Sequence, residues 1–468
     1  MAQQSVLLLK DFHLGGIADS KYSGIANSVA ALVGFNLHAE PGILKVNQAL
    51  IKESGSTVDD AVSKIITCSD GNSYLVGRTA GKIWQRTSLG VYSLVATNAN
   101  GATLNIEEYA GYLYYASATK LGRWQIGSAW GTRNDNFATF LNGNSSFHPM
   151  FVKNQVLYIG DGNVVAQVDA GVFSNNALDV DKRYIIKSFG EIDNDLLIGT
   201  FINVNVNQAR VFRWNTISIS FTNDDGAPEI GVNAFLPSDN FVLAQVGNKG
   251  NLYTYNGSQL EQFKRIAGDW SSTNQAFVNP DAACNLNGLP LFGLSNSLGN
   301  PALQGVYSFG SYSSNYPRVL NLEYILSTAH SSNIEITAMA VAGNDVLVAW
   351  KDNNGGPTYG VDKIDWNNKF SSPYLETRVL MLDRMNGKDM RVKIAYRSLP
   401  TNTSITLSSN INNAGYGSNE ALEQDTIHNL FQTTARISGA GTVQFKIGCT
   451  TSGNTAPEIE AIEIYYFA

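Results

Sequence analysis

The sequence repeats one small unit, in which two short apolar runs are joined by a turn rich in Gly, Asn and Asp. In the clearest copy, residues 154–160 and 164–169 flank Asp161-Gly162-Asn163. Val, Leu, Tyr and Ile suit a half-buried pleated strand, and glycine reverses the chain because it reaches positive φ without a Cβ clash. The unit therefore predicts a β-hairpin.

Recurrence of this hairpin constrains the fold more than any other feature. Its copies are 73–77 with 82–84, 111–115 with 121–124, 154–160 with 164–169, 194–199 with 210–214, 240–244 with 251–257, 288–293 with 305–309, and 345–350 with 359–365. Their centres are about 40 to 55 residues apart, which is the period of a four-stranded propeller blade, and helical periodicity is absent inside the repeat. We predict a β-propeller of about seven four-stranded blades over residues 56–370, with six or eight blades as alternatives.

Four tryptophans stand at similar points of successive repeats: Trp84, Trp124, Trp214 and Trp350. Large aromatic side chains dominate the energetics of protein cores, so we expect these four to pack between neighbouring blades. The alternative is a ring of exposed tryptophans that stacks on sugars.

The two ends of the chain differ from the repeat. Residues 1–55 predict an N-terminal arm or lead-in segment, with a short helix capped by Ser23, a turn at Pro41-Gly42 and a strand over 43–46. Residues 371–468 alternate apolar and polar side chains in several strands, as at 392–396 and 443–447. Because alternation gives each strand one solvent-exposed face, the pattern predicts a C-terminal antiparallel β-sandwich, jelly-roll-like in type.

Charge and cysteine content exclude some classes of protein. The formal net charge is −7, only 15% of the residues are charged, and the sequence holds no run of five Lys or Arg, which argues against a nucleic-acid-binding surface. Cys68, Cys284 and Cys449 lie far apart, so we expect three buried thiols. The apolar run 6–9 is too short for a signal peptide, and no stretch reaches the roughly 20 apolar residues of a membrane span.

A search for chemistry gives no candidate. The sequence lacks a P-loop, a GxSxG elbow, an HExxH motif and an EF-hand loop, and its histidines (His13, His38, His148, His330 and His428) are scattered. We therefore predict no catalytic, cofactor-binding or metal-binding residue. Asp193, Asp195, Asp224 and Asp225 occupy turn-like positions, where Asp is common for its own hydrogen bonds. These four keep a paired-carboxylate glycosidase open as an alternative.

Several short motifs at the two ends carry a family resemblance. They are Asp11-Phe12 followed by Gly15-Gly16-Ile17, Gly34-Phe35-Asn36-Leu37, Glu40-Pro41-Gly42, and the late Ala456-Pro457-Glu458-Ile459-Glu460-Ala461-Ile462-Glu463. In this order around a run of degenerate blades, they resemble the propeller-type tail structural proteins of tailed bacteriophages, including the tail nozzle (tubular protein B-like) group. The chain is shorter than many nozzle proteins.

The resemblance implies a non-enzymatic virion protein without a cofactor. Its partners would be further copies of the chain, arranged in a homo-oligomeric ring, and other phage tail proteins. The protein would be assembled in the host cytoplasm without a signal peptide and located in the phage tail, where DNA could pass through the ring without sequence-specific contacts. Two alternatives stay open. An adhesin would bind host surface glycan through exposed tryptophans, and a glycosidase would place two acids close together at one mouth of the propeller channel.

Overall fold

The computed structural model describes residues 5–143, 146–202, 207–236, 242–296, 304–327, 333–354, 356–381, 388–439 and 441–467. The chain forms two compact units. Unit 1 comprises Met1–Ile51, Gly305–Ser327 and Ile364–Ala468, and unit 2 comprises Lys52–Gln304 and Thr328–Lys363. This division differs from the predicted segments 1–55, 56–370 and 371–468, because the N-terminal residues and residues 305–327 fall in one unit with the C-terminal residues.

Strands make up the regular structure, and the only helical elements of the described ranges are two 3-10 turns, Phe12–Leu14 and Trp130–Thr132. The strands are β1 (Ser5–Leu9), β2 (Ala31–Val33), β3 (Phe35–Asn36), β4 (Leu44–Val46), β5 (Gln48–Lys52), β6 (Val62–Thr67), β7 (Ser73–Gly77), β8 (Lys82–Arg86), β9 (Tyr92–Thr97), β10 (Asn105–Tyr109), β11 (Tyr112–Ala116), β12 (Lys120–Gln125), β13 (Asn134–Thr139), β14 (Met150–Lys153), β15 (Val156–Asp161), β16 (Val164–Asp169), β17 (Val172–Asp179), β18 (Tyr184–Ile192), β19 (Asp195–Ile202), β20 (Ala209–Trp214), β21 (Asn223–Ala227), β22 (Val232–Leu236), β23 (Val242–Val246), β24 (Asn251–Tyr255), β25 (Leu260–Arg265), β26 (Ala276–Phe277), β27 (Ala283–Leu286), β28 (Leu289–Asn296), β29 (Gly305–Gly310), β30 (Val319–Tyr324), β31 (Ile334–Ala342), β32 (Asp345–Asp352), β33 (Thr358–Lys369), β34 (Tyr374–Glu376), β35 (Leu380–Met381), β36 (Lys388–Ser398), β37 (Ser404–Ile411), β38 (Tyr416–Asn419), β39 (Leu422–Asp425), β40 (Leu430–Thr433), β41 (Ile437–Gly439), β42 (Thr442–Thr450) and β43 (Glu458–Phe467).

Unit 2 contains the predicted hairpins except the sixth, whose second run, 305–309, forms β29 and falls in unit 1. Five four-stranded sheets follow one another along the chain, β6–β9, β10–β13, β14–β17, β18–β21 and β22–β25, each in sequential strand order. The second and third strands of each sheet are the predicted hairpin, paired antiparallel. The β32–β33 hairpin is confirmed in the same way, whereas Asn240 and Phe241 of the fifth predicted hairpin lie outside the described residues.

The sheets of unit 2 close into a ring around their first strands. Contacts run in a circuit from β6 through β10, β14, β18, β22, β27 and β31 back to β6. Apolar side chains of the first sheet, including Leu75 and Trp84, pack directly on Leu347 and Val361 of β32 and β33. A closed circuit of strands that repeat one order is the architecture of a β-propeller, and its seven members agree with the predicted number of blades.

Glu53, near the start of unit 2, contacts both the first and the last sheet of the ring. The Glu53 amide donates a hydrogen bond to the Val361 carbonyl oxygen over 2.9 Å. The Glu53 carboxylate also accepts from Arg86 Nε of β8 at 2.5 Å and lies 2.9 Å from Lys363 Nζ of β33. One buried acid therefore joins the first sheet to the last.

The four recurrent tryptophans are buried, and three of them, Trp84, Trp124 and Trp214, lie in the apolar layers between sheets, as predicted. Trp84 is 0% exposed, Trp124 3%, Trp214 2% and Trp350 4%. Trp124 packs between the first and second sheets and Trp214 between the third and fourth. The three cysteines are also free and buried, as expected, and burial raises the pKa of the Cys284 and Cys449 thiols to about 12.

Unit 1 contains two sheets. One has the order β3-β4-β43-β36-β40-β39 with β1 on β43 and β41 on β36, and the other contains β38-β37-β42-β34-β2-β30-β29 with β35 on β42. Val392 and Ile394 of β36, and Phe445 and Ile447 of β42, are fully buried at alternate positions. Two sheets with one buried face each match the predicted alternation.

The N-terminal residues do not form a free arm. β1 pairs with β43 over five residues, and β4 pairs with the start of the same strand. The turn at Pro41-Gly42 and the strand after it are confirmed. The predicted helix after Ser23 is wrong, because Ala31–Val33 instead forms β2, which pairs with β34 and β30. Long-range pairing has overridden the helical spacing of the local apolar residues.

Within the described ranges, no helix has the length and apolar character that crossing a membrane requires. His330 lies outside the described residues.

Candidate functional site

A cavity of about 50 Å³ opens beside the first strands of unit 2. Its lining includes Asn105 of β10, Lys187 of β18 and Thr337 of β31, together with the loops that precede β14 and β27. These elements come from the innermost positions of the ring, so the cavity lies at the propeller channel. The channel is the common meeting point of the blades, and we therefore take it as the candidate site.

Lys64 of β6 bridges two acids beside this cavity. Its Nζ lies 2.7 Å from Glu107 Oε2 and 3.4 Å from Asp281 Oδ1. Asn105 Nδ2 donates a hydrogen bond to the other Asp281 oxygen over 3.0 Å. Burial alone would lower the pKa of the lysine, but the two carboxylates outweigh it and raise the pKa of Lys64 to about 12. Burial raises the pKa of Asp281 above its ordinary value, and Lys64 opposes that change.

Lys187 on β18 has a different environment. Its Nζ donates a hydrogen bond to Asn233 Oδ1 over 2.7 Å. The same atom lies 5.1 Å from the centre of the Phe147 ring and 5.6 Å from that of Phe201. Burial and, to a smaller degree, the charge of Arg78 lower the pKa of Lys187 to about 8. In the part of the chain that the structure describes, no carboxylate lies within ion-pair distance of this ammonium.

Arg78 stands at the solvent side of the cavity. Its side chain is 46% exposed, and Nη1 lies 3.1 Å from Glu335 Oε1 of β31. An exposed pair of this kind contributes little to stability. Arg78 therefore brings a second positive charge to the lining of the cavity that contains Lys187.

His148 is the histidine of this region, and it is 1% exposed. Its ring stacks on Phe140 with centroids 4.2 Å apart, while Nδ1 and Nε2 lie 2.8 Å and 3.2 Å from the carbonyl oxygens of Gly160 and Ala118. Burial lowers the pKa of His148. Because both ring nitrogens face backbone oxygens, His148 joins the second and third sheets.

Metal ligation finds no support in the described ranges, where no group of three or more His, Cys, Asp or Glu is placed to hold an ion. In unit 1, His13 Nδ1 accepts a hydrogen bond from the Gly42 amide over 3.0 Å, and His38 Nε2 lies 3.3 Å from Ser308 Oγ. His428 binds Asp425 on the surface. The described histidines thus remain scattered.

The four candidate acids of the glycosidase alternative lie in the fourth sheet, two at its first hairpin and two in its last strand. Asp193 is in a turn with φ of 53°, and Asp195 begins β19. Asp224 and Asp225 were predicted in a turn, but they lie in the outer strand β21. Asp193 and Asp195 both pair with Arg213, and Asp224 pairs with Arg210. These ion pairs explain three of the four acids as structural residues, and Asp225 accepts a hydrogen bond from Asn223 Nδ2 over 3.3 Å.

Sequence reasoning missed the channel residues because they sit on the first strands, which the hairpin pattern does not include. A signal was nevertheless present. Lys64 and Lys187 each lie beside isoleucines within a strand, in Val62–Thr67 and Tyr184–Ile192. A lysine inside such a strand needs a partner or a cavity, and either would have marked the position.

Comparison with known proteins identifies the fold. No protein-family model and no curated protein sequence matches the chain. Among solved structures, the WD40 repeats of RRP9 are similar at a TM-score of 0.50 and 10% identity, over 68% of this chain and 98% of that one.

Two other solved structures are less similar. The extracellular domain of BT4673 from B. thetaiotaomicron has a TM-score of 0.47 and 14% identity over 73% of this chain, which spans 43% of that domain's length. Streptogramin B lyase has a TM-score of 0.47 and 12% identity, over 68% of this chain and 98% of its own. At such identities the likeness concerns the fold alone, and with the sheet order described above it shows an all-β protein built on a β-propeller.

Proposed function

We propose that this chain is a non-enzymatic structural component of a bacteriophage virion, a tail nozzle or tail-tip protein that assembles in a ring with further copies and with other tail proteins. It would be assembled in the host cytoplasm and located in the phage tail. The observation that carries the proposal is a set of exposed apolar side chains on one face of unit 2. The family resemblance of the terminal motifs supports the phage assignment.

The apolar residues share one position in their sheets. They lie at the turn between the third and fourth strands of the first, third and fourth sheets, and they are Leu89 at 89% exposure, Val91 at 60%, Val172 at 71%, Ile217 at 89% and Ile219 at 97%. Sheets that repeat one strand order around an axis place equivalent turns on the same face. Exposed apolar side chains that share one face are suited to a protein–protein contact. We call these five residues the apolar rim.

The turn that carries Ile217 and Ile219 is held in shape before any partner binds. Asn215 Oδ1 accepts hydrogen bonds from the amides of Ile217 and Ser218 over 3.0 Å and 2.8 Å. The buried Trp214 donates from Nε1 to the Ser218 carbonyl oxygen over 2.7 Å. A preformed apolar turn loses little conformational entropy on binding, which favours assembly.

The two alternatives have less support. The four recurrent tryptophans, which an adhesin would need at its surface, are buried, so they cannot stack on glycan. A glycosidase would need two available acids, and Glu107 with Asp281 is the closest match in the channel. The Lys64 ammonium lies between these acids and pairs with both, so neither carboxylate is placed to act alone.

The proposed function is tested by identifying proteins in particles purified from the phage that encodes this chain. We expect the chain in intact particles at a small fixed copy number relative to the major capsid protein. Its absence from washed particles, while it is abundant in the lysate, would refute a structural role in the virion.

The double variant Ile217→Ser/Ile219→Ser is expected to weaken self-association without unfolding unit 2. Burying one Ile side chain contributes about 1.5–3 kcal/mol, so the loss of two contacts should raise the dissociation constant at least about tenfold. Since both side chains are exposed, the free energy of unfolding should change by less than about 0.5 kcal/mol. Sedimentation velocity over a dilution series measures the first effect, and urea unfolding measures the second.

Ile427→Ser is the matched control, because Ile427 is 86% exposed but belongs to unit 1. Its self-association should equal that of the unaltered protein. Equal dissociation constants for all three proteins would exclude the apolar rim as the contact.

A further inference from the structure

We propose that the cavity between Lys187 and Arg78 in unit 2 is a binding site for a small free oxyanion of the phosphate or carboxylate class. This site lies in the propeller channel, and it would operate whether or not the chain is a virion protein. The inference depends on three features, which are the charges that line the cavity, its free hydrogen-bond donors and its size.

Four titratable groups line the cavity: Arg78, His148, Lys187 and Asp281. Asp281 is engaged through both of its oxygens, with Lys64 and with Asn105. The His148 ring nitrogens face two backbone carbonyl oxygens. Two positive side chains therefore share one small cavity. Arg78 has one acid partner, Glu335, whereas Lys187 has no compensating acid among the residues described.

Like charges that line one cavity repel each other unless an anion lies between them. Burial and, to a smaller degree, the charge of Arg78 lower the pKa of Lys187 to about 8. A bound oxyanion would reverse this contribution and restore the lysine to its charged form. An anion in the cavity would therefore offset the unfavourable interaction between the Lys187 and Arg78 charges.

Both cations keep donors for such a ligand. An ammonium has three N–H groups, and one described polar acceptor, Asn233 Oδ1, takes one of them. The guanidinium of Arg78 uses Nη1 for Glu335, which leaves its other nitrogens for a planar or tetrahedral anion. The rings of Phe147 and Phe201 shield the lysine from water and so strengthen its interaction with an anion.

Size limits the ligand. A cavity of about 50 Å³ is large enough for an ion of the size of phosphate or acetate. Because the pKa of Lys187 is about 8, affinity should be highest below that pH. Affinity should fall as the pH rises through that value and the ammonium loses its proton.

The test is calorimetric titration of the full chain with inorganic phosphate and, separately, with acetate, at constant ionic strength and neutral pH. We expect saturable one-to-one binding of at least one of the two anions, and the arm that binds identifies the class. Lys187→Met should weaken this binding at least about tenfold, and Arg78→Gln should weaken it in the same direction. The control is Lys82→Gln, which removes a lysine of unit 2 that pairs with Asp59 outside the cavity; it should leave affinity unchanged.

Thermal unfolding provides a second measurement on the same proteins. The bound anion should raise the melting temperature of the unaltered chain and of Lys82→Gln, but not that of Lys187→Met. If Lys187→Met fails to fold, the anion affinity of Arg78→Gln is the test instead. Arg78 is exposed, so its replacement should not unfold the chain. No saturable binding of either anion, or an affinity in both the Lys187 and the Arg78 variant equal to that of the unaltered chain, would overturn the proposed site.

Discussion

Replacement of Lys64 by methionine is expected to destabilise unit 2 by about 3–5 kcal/mol at neutral pH, because it leaves two carboxylates in the channel without their shared cation. Lys64 Nζ lies 2.7 Å from Glu107 and 3.4 Å from Asp281, and its side chain is only 12% exposed. The loss would appear as a lower urea midpoint, followed by tryptophan fluorescence. The triple variant Lys64→Met/Glu107→Gln/Asp281→Asn is the control, since it removes the uncompensated charges as well.

The loss should depend on pH with a definite sign. The pKa of Lys64 is raised to about 12, so its contribution is complete below its ordinary value of 10.5 and disappears only as the pH rises through about 12. The pKa of Asp281 is raised above its ordinary value of 3.8, so this acid favours the folded state most at low pH and loses that contribution as the pH rises.

Without Lys64, the pKa of Asp281 should rise further, because the opposing ammonium is gone. The variant should therefore lose stability relative to the unaltered protein between about pH 4 and about pH 7. A difference that is equal at both pH values, or a triple variant as unstable as the single one, would contradict the role given to Lys64.

Trp84→Ala is expected to cost about 3–5 kcal/mol of unfolding free energy, the range for removing a fully buried aromatic side chain. Trp84 is 0% exposed and lies in the layer where the first sheet meets β31–β33. The cavity left there would separate the sheets whose contact closes the ring. Guanidinium unfolding curves measure the loss.

Trp366→Ala is the control for this substitution, because Trp366 is 52% exposed. Its unfolding midpoint should move much less than that of Trp84→Ala. Similar shifts for the two variants would show that Trp84 does not support the closure.

The propeller could be predicted from the sequence because its middle strands carry the strongest local signal. The strands Ser73–Gly77 and Val242–Val246 are buried at every position, and so their sequences, SYLVG and VLAQV, consist mostly of apolar residues between turns. The outer strands give no such signal. Asn223–Ala227, with the sequence NDDGA, resembles a loop, which is why Asp224 and Asp225 were expected in turns.

Unit 1 was harder to predict because its sheets join distant parts of the chain. β2 begins at Ala31 and lies between β34 and β30, which are hundreds of residues away. Local spacing favoured a helix there, and pairing across such distances leaves no trace in a short window of sequence. The candidate site was not predicted for the same reason, since Lys64, Glu107 and Asp281 are far apart in sequence and come together only in the closed ring.

The most direct test of the structural role is the mass of the unaltered protein in solution, measured by light scattering behind size exclusion over a range of concentrations. A ring would give one defined multiple of 50.7 kDa that persists on moderate dilution. A mass of 50.7 kDa at every concentration, with the apolar rim exposed and unoccupied, would contradict assembly of this chain into a ring.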